Sequence, residues 1–219
     1  MKEPTRIIAI RHGETAWNVD TRIQGHLDVP LNARGLWQAE QLGRALADEP
    51  FAAIYSSDLS RAHQTASQVA RHTGTELRVE PALRERSFGS FEGKTFAEIE
   101  AVLPEAAQRW RERDPHFVPD GGESLTQLQA RVVGIASGLA ARHPGQLIAL
   151  VSHGGVMDVL YRAATGLDLQ AARTWALGNA AINRLLWSPQ GFSLVGWADI
   201  GHLQETAEGL AVVRDETSS

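Results

Sequence analysis

The chain has 219 residues, 43% of them hydrophobic and 21% charged, and 26 acidic against 21 basic residues give a formal net charge of -5. That composition belongs to a folded globular chain, and its acidic balance argues against a general nucleic-acid partner, which would call for a strongly basic face. Cysteine is absent, so disulfide scaffolds, thiolate metal sites and cysteine nucleophiles are all excluded.

The first ten residues, MKEPTRIIAI, mix charge and proline around a short apolar run, which is not a targeting pattern. No apolar run approaches the roughly 20 residues of a membrane span. The expectation is a cytoplasmic protein with no membrane partner. Ile7-Ile8-Ala9-Ile10 is the first predicted buried strand. A loop carrying Pro30 follows, and then Leu36, Ala39, Leu42 and Leu46 recur at spacings of three and four, which predicts an amphipathic helix. Ala52 to Tyr55 is the second buried run, and Asp58 is the expected N-cap of a helix reaching about Arg71.

From Thr95 to Gly122 the apolar spacing is broken by Pro104, Pro115 and Pro119, and the stretch is expected to form a helical cap inserted over one end of the sheet. Ser124 and Gln127 have capping-box spacing, and Leu125, Leu128, Val132, Ile135 and Leu139 mark one face of a long helix ending near Pro144-Gly145. Leu147 to Val151 is the third buried run. Ala181–Trp187 and Phe192–Trp197, joined by Ser188-Pro189-Gln190-Gly191, predict a hairpin, and the tail from Asp215 to Ser219 is expected to fray. Strands alternating with helices predict a three-layer α/β/α fold with a mostly parallel central sheet. With no repeat and no dividing linker, residues 1–219 are expected to form one domain.

In open α/β sheets ligands bind beyond the carboxyl ends of the strands, where helix N-termini offer free N–H groups. The first run is followed by Arg11-His12-Gly13-Glu14-Thr15, the second by Ser56-Ser57-Asp58 with Arg61 one turn later, and the third by Ser152-His153-Gly154-Gly155. If these strands are neighbours, two histidines and two arginines converge on one edge. Guanidinium forks suit phosphate or carboxylate oxygens, and glycine after each histidine lets backbone N–H groups approach an anion. Two other readings of the pair are hydrogen-bonded core histidines and a metal site with Glu85 as third ligand. The flanking cations count against a divalent metal, and the expectation is no metal and no cofactor. Gly89-Ser90-Phe91-Glu92-Gly93-Lys94-Thr95 imitates a phosphate-binding loop, but three residues separate its glycines where four are needed, and no buried strand precedes it.

At this point the sequence resembles the histidine phosphatase superfamily, the phosphoglycerate mutase-like group. The matching stretches are Arg11-His12-Gly13-Glu14-Thr15 with Trp17-Asn18, Gln24-Gly25 with Asp28, Pro30 and Leu31, and Ser57-Asp58-Leu59-Ser60-Arg61-Ala62 with Thr65. They continue through Leu83-Arg84-Glu85-Arg86, Gly89, Glu92-Gly93, Gly121-Gly122-Glu123-Ser124 and Ser152-His153-Gly154-Gly155, and cover residues 6 to about 200. The resemblance implies that His12 is the nucleophile accepting a phosphoryl group, that Arg11, Arg61 and His153 hold its oxygens, and that Glu85 is the proton donor. Asn18, Gln24, Gly25 and Gly154 are the expected substrate-binding residues.

The implied activity is metal-independent hydrolysis of a small phosphorylated metabolite. The alternatives are a 2,3-bisphosphoglycerate-dependent phosphoglycerate mutase, an isomerase, and a phosphate-binding protein without catalysis. Trp110-Arg111-Glu112-Arg113 is similar to a basic segment of the mutases, although the insertion looks shorter than theirs. The C-terminal strands offer an edge for a homodimer.

Overall fold

The computed structural model describes residues 3–204. The predicted frayed tail, 215–219, lies outside the described residues. Six strands, β1 (Thr5–Arg11), β2 (Phe51–Ser56), β3 (Leu77–Val79), β4 (Leu147–Ser152), β5 (Ile182–Ser188) and β6 (Gly191–Asp199), form one sheet in the order β3-β2-β4-β1-β5-β6. β4 is parallel to both β1 and β2, and β3 is parallel to β2, while β5 pairs antiparallel with β1 and with β6. The three buried runs are therefore adjacent and point the same way. The hairpin is also present, closed by Pro189-Gln190 between β5 and β6.

Among the described residues seven α-helices accompany the sheet: α1 (Ala16–Val19), α2 (Ala33–Ala45), α3 (Ser60–Thr73), α4 (Phe96–Val102), α5 (Pro104–Arg111), α6 (Leu125–Ala140) and α7 (Gly154–Thr165). Strand side chains alternate between faces. Ile7, Ala9, Ile148 and Leu150 pack against Leu128, Val132 and Leu139 of α6 and Val156 and Leu160 of α7. Ile8, Ile10, Ala149 and Val151 meet Leu42 of α2 and Ala62, Ala66 and Val69 of α3 on the opposite side. Both faces are covered, which is why these strands read as continuous apolar runs. Burying one such side chain contributes about 1.5–3 kcal/mol.

α6 starts as the capping box requires, with Ser124 Oγ accepting from Gln127 N–H and Gln127 Oε1 accepting from Ser124 N–H. Two local expectations differ from the structure. Leu59, not Asp58, is the N-cap of α3, and it makes no side-chain cap bond. Asp58 instead receives both prongs of the Arg84 guanidinium. In α2 the buried residues are Gly35, Gln38, Ala39, Leu42 and Gly43, and Leu36 is exposed. The helix is rolled because its first turn packs on Gly13, where an added Cβ would sit 2.6 Å from the Gly35 carbonyl oxygen.

α4 and α5 form a separate small cluster, in which Phe91, Ile99, Ala107 and Phe117 are buried and Trp110 stacks on Phe88 and Phe91. Glu92, from the false phosphate-binding loop, turns inward: its Oε1 accepts the N–H groups of His26 and Phe88. Among the described residues no helix is long and apolar enough to cross a membrane.

Candidate active site

The carboxyl ends of β1, β4 and β2 bring Arg11-His12, Ser152-His153 and Ser56-Ser57 to one edge of the sheet. The ladder continues past the strands, with His12 N–H donating to the Ser152 carbonyl and Ser57 N–H to that of Val151. His12 and His153 are both buried, with ring centroids 5.2 Å apart and planes tilted by 60°. His12 Nδ1 lies 2.7 Å from the Gly13 carbonyl oxygen, which can only accept. The proton of neutral His12 therefore sits on Nδ1, and Nε2 keeps its lone pair.

Burial, then the charges of Arg11 and Arg61, hold the His12 imidazole well below its ordinary range, against the opposing pull of its bond to Gly13. His153 is pushed down chiefly by burial, then by Arg61, His12 and Arg11. Both rings are thus neutral in the folded chain. Unfolded histidines titrate near pH 6.5, so below about that pH the unfolded chain binds more protons and stability must fall on acidification. Asp58 and Asp158 are also held below their ordinary values. Their contribution is present above the ordinary carboxylate range and is lost only as pH falls through it, so they act at lower pH. Thermal melts in phosphate-free buffer are expected to show Tm dropping between about pH 7 and about pH 5.5, with a shallower slope after His12→Asn. A flat Tm across that window would contradict neutral burial of the pair.

Arg61, fully buried on the first turn of α3, gives Nη1 to the Leu27 carbonyl and Nη2 to that of Gly25. Arg11 gives Nη1 to the Leu177 carbonyl. These bonds fix both guanidinium planes and leave Nε of each unused. Among the described residues Arg11 Nε, Arg61 Nε and His153 Nδ1 are buried without a hydrogen-bond partner. His153 Nε2 lies 2.9 Å from Ser57 Oγ; with that hydroxyl as donor, the proton of neutral His153 sits on Nδ1. Orphaned buried donors are rare, and three around one histidine are the mark of an anion site. α7 starts at Gly154 directly after His153, adding the positive end of a 12-residue helix.

Glu85 completes the group beside the first turn of α7. Its Oε1 accepts the N–H of Arg86 at 2.7 Å and its Oε2 the N–H of Gly155 at 2.9 Å. A Cβ on Gly155 would run into that carboxylate. Glycine here lets the helix start hold Glu85 by its backbone. Glu85 pairs with neither neighbouring guanidinium: Arg84 is taken by Asp58, and Arg86 donates to the carbonyls of Glu123 and Phe117. Among the described residues, no three His, Cys, Asp or Glu side chains converge as a metal site needs.

The expected binding residues take different places. Asn18 Oδ1 caps α1 by accepting from Thr15 N–H and Thr15 Oγ1, which leaves its amide nitrogen for other partners. Gln24 is nearly buried, with Oε1 unpartnered. Gly25, at φ +51°, supplies the carbonyl that orients Arg61. Gly154 lies against Arg11, where an added Cβ would be 3.5 Å from Nε. Three further supports were not singled out from sequence as site residues. Ser57 holds His153, Thr65 Oγ1 accepts from Gly13 N–H, and Asn179 Nδ2 donates to the His12 carbonyl at 2.8 Å.

The family model described as the histidine phosphatase superfamily (branch 1) matches residues 7–200. The chain belongs to the histidine phosphatase superfamily. Within that superfamily it is 36% identical over 204 residues to the phosphoglycerate mutase-like protein 4 of Arabidopsis thaliana, covering 91% of this chain and 87% of that one. It is also 36% identical over 204 residues to the metal-independent phosphoserine phosphatase of the same plant, covering 92% and 84%. The solved structure of a mycobacterial glucosyl-3-phosphoglycerate phosphatase with VO3 superposes with a TM-score of 0.79 at 33% identity, over 89% of this chain and 99% of that one. The three-layer fold of the superfamily is the fold of this chain.

Proposed function

We propose that this chain is a metal-independent phosphatase that hydrolyses small phosphomonoesters through a phosphohistidine at His12. The observation that carries the reading is the set of three buried, unpartnered donors, Arg11 Nε, Arg61 Nε and His153 Nδ1, around a histidine whose Nε2 lone pair is exposed by its tautomer. Those donors would take the equatorial phosphoryl oxygens and stabilise their charge in the transition state. His12 Nε2 attacks phosphorus while the bond to the ester oxygen breaks, and Glu85 gives its proton to the departing alkoxide. A water then attacks the phosphohistidine, Glu85 takes its proton back, and the phosphorus–nitrogen bond breaks to release phosphate.

Phosphatase names among its relatives support hydrolysis over phosphoryl return to substrate. The pool such an enzyme would act on, phosphorylated metabolites, supports a cytoplasmic location. Phosphate release from several monoesters, measured beside interconversion of 3- and 2-phosphoglycerate, tests the reading. Release is expected to dominate and to continue in excess chelator. Efficient interconversion with negligible release would make the chain a mutase.

A further inference from the structure

Glu85 sits in residues 84–88, which belong to neither helix nor strand, so no regular element fixes its main chain. A proton donor must be held closely, because a misplacement of about 1 Å can cost on the order of a hundredfold in rate. The side chain of Glu85 is clamped by the N–H groups of Arg86 and Gly155. Its main chain is held through the carbonyl oxygen, which His26 Nε2 approaches at 2.9 Å and Arg131 Nη2 at 3.2 Å. A carbonyl can only accept, so the His26 proton is on Nε2 and is donated to Glu85. Arg131, on α6, also spreads its donors over the carbonyls of Ala82 and Arg84 and over the Glu123 carboxylate.

His26 belongs to the turn 24–27 between α1 and α2, closed by Leu27 N–H donating to the Gln24 carbonyl at 2.9 Å. The residues on either side of it hold Arg61: the Gly25 carbonyl accepts from Nη2 at 2.8 Å and the Leu27 carbonyl from Nη1 at 2.9 Å. Glu92 fixes the turn, its Oε1 accepting His26 N–H at 3.0 Å and Phe88 N–H at 2.9 Å. Glycine at position 25 makes that fit possible, since at φ +51° an added Cβ would stand 2.1 Å from the same oxygen. Residues 84–88 are thus tied to the turn twice, at Glu85 through the imidazole and at Phe88 through Glu92. Gly25-His26-Leu27 joins Arg61, one of the phosphate-facing donors, to the proton donor. The main chain carries the first connection and the His26 ring the second.

We propose that His26 is a positioning residue for proton transfer: its imidazole sets Glu85 in register with Arg61, so that the carboxyl group stands where the held phosphate presents its ester oxygen. The inference rests on the phosphatase reading of the site. His26 acts through Glu85 and takes no part in the bonds that form and break. Because main-chain carbonyls hold Arg61, replacing the His26 side chain leaves the grip on phosphate in place, and the loss falls on the proton.

Two amide substitutions separate position from polarity. The amide nitrogen of glutamine stands as many bonds from Cα as Nε2 of histidine and can donate to the Glu85 carbonyl, whereas that of asparagine is one bond short. With glycerol 3-phosphate, His26→Asn is expected to lower kcat about tenfold to a hundredfold while KM changes less than about threefold, and His26→Gln to restore most of the loss. With p-nitrophenyl phosphate, whose phenolate departs without a proton, phosphohistidine formation followed in a single turnover should keep its rate in both variants. In a Glu85→Gln background, His26→Asn should add little further loss. Equal slowing of the two esters, a fall in affinity for inorganic phosphate that matches the fall in kcat, or failure of glutamine to restore what asparagine loses would overturn the proposal. Imidazole nitrogen NMR spectra give a readout free of turnover: His26 is expected with its proton on Nε2, and a proton on Nδ1 would also overturn it. If the Nε2 proton is found but the unaltered chain forms no phosphohistidine, the tie between Arg61 and Glu85 stands and the phosphatase reading fails.

Discussion

Replacing His12 by alanine is expected to lower phosphate release by at least about three orders of magnitude, the scale on which loss of a covalent nucleophile is felt. The size follows from what would remain. Arg11, Arg61, His153 and the start of α7 would still hold an anion, but no lone pair would stand in line with the phosphorus. Affinity for inorganic phosphate or vanadate should therefore survive in the variant while turnover is lost. Rapid mixing of the unaltered chain with substrate, followed by denaturation without acid, should trap an acid-labile phosphorus–nitrogen bond that His12→Ala abolishes. The measurement separates catalysis from mere phosphate recognition. Full activity in His12→Ala would falsify the mechanism, and a phosphate-binding protein without catalysis would form no covalent bond in either chain.

Much of this site was legible because of how it is attached. Each histidine follows a run buried on both faces, and a strand that deeply buried reads as an unbroken apolar stretch whatever its neighbours are. The sheet order then does the rest: with β4 between β1 and β2, residues from three distant segments must emerge side by side. The supports of the site have no such signal. Ser57 reaches His153 across 96 positions and Asn179 reaches the His12 carbonyl across 167, and nothing in either local sequence announces the partner. Local rules also yielded to tertiary contacts. Asp58 has the chemistry of an N-cap, but the Arg84 fork offers it two charge-assisted bonds. The spacing of three and four in α2 is compatible with more than one face, and the close approach of Gly13 to Gly35 selected one that leaves Leu36 in solvent. β3, three residues long with Val79 exposed, carries no alternation to read. Asp158 was hidden for a related reason, since a lone acid in an apolar helix gains its meaning only when Arg113 and Arg173, from two distant segments, join Arg162 of its own helix around it.

Glu85→Gln carries the second large effect, and its signature depends on the leaving group. For an alkyl phosphate the departing alkoxide needs a proton, and losing the acid is expected to lower kcat by about two to four orders of magnitude. For p-nitrophenyl phosphate the phenolate leaves unaided, so formation of the phosphohistidine should be nearly spared. Hydrolysis of that intermediate still lacks its base. The variant is therefore expected to give a burst of nitrophenolate close to one equivalent per chain, then a slow steady state, with phosphohistidine accumulating on His12. The geometry predicts a structural cost as well. Both oxygens of Glu85 accept a backbone N–H, and glutamine offers one oxygen and one amide group, so one of those N–H groups loses its acceptor at a cost of about 1–3 kcal/mol. Tm should fall accordingly, but a stability loss alone would slow both esters alike. Equal slowing, with no burst from the aryl ester, would remove Glu85 from proton transfer and leave it as a clamp on the first turn of α7.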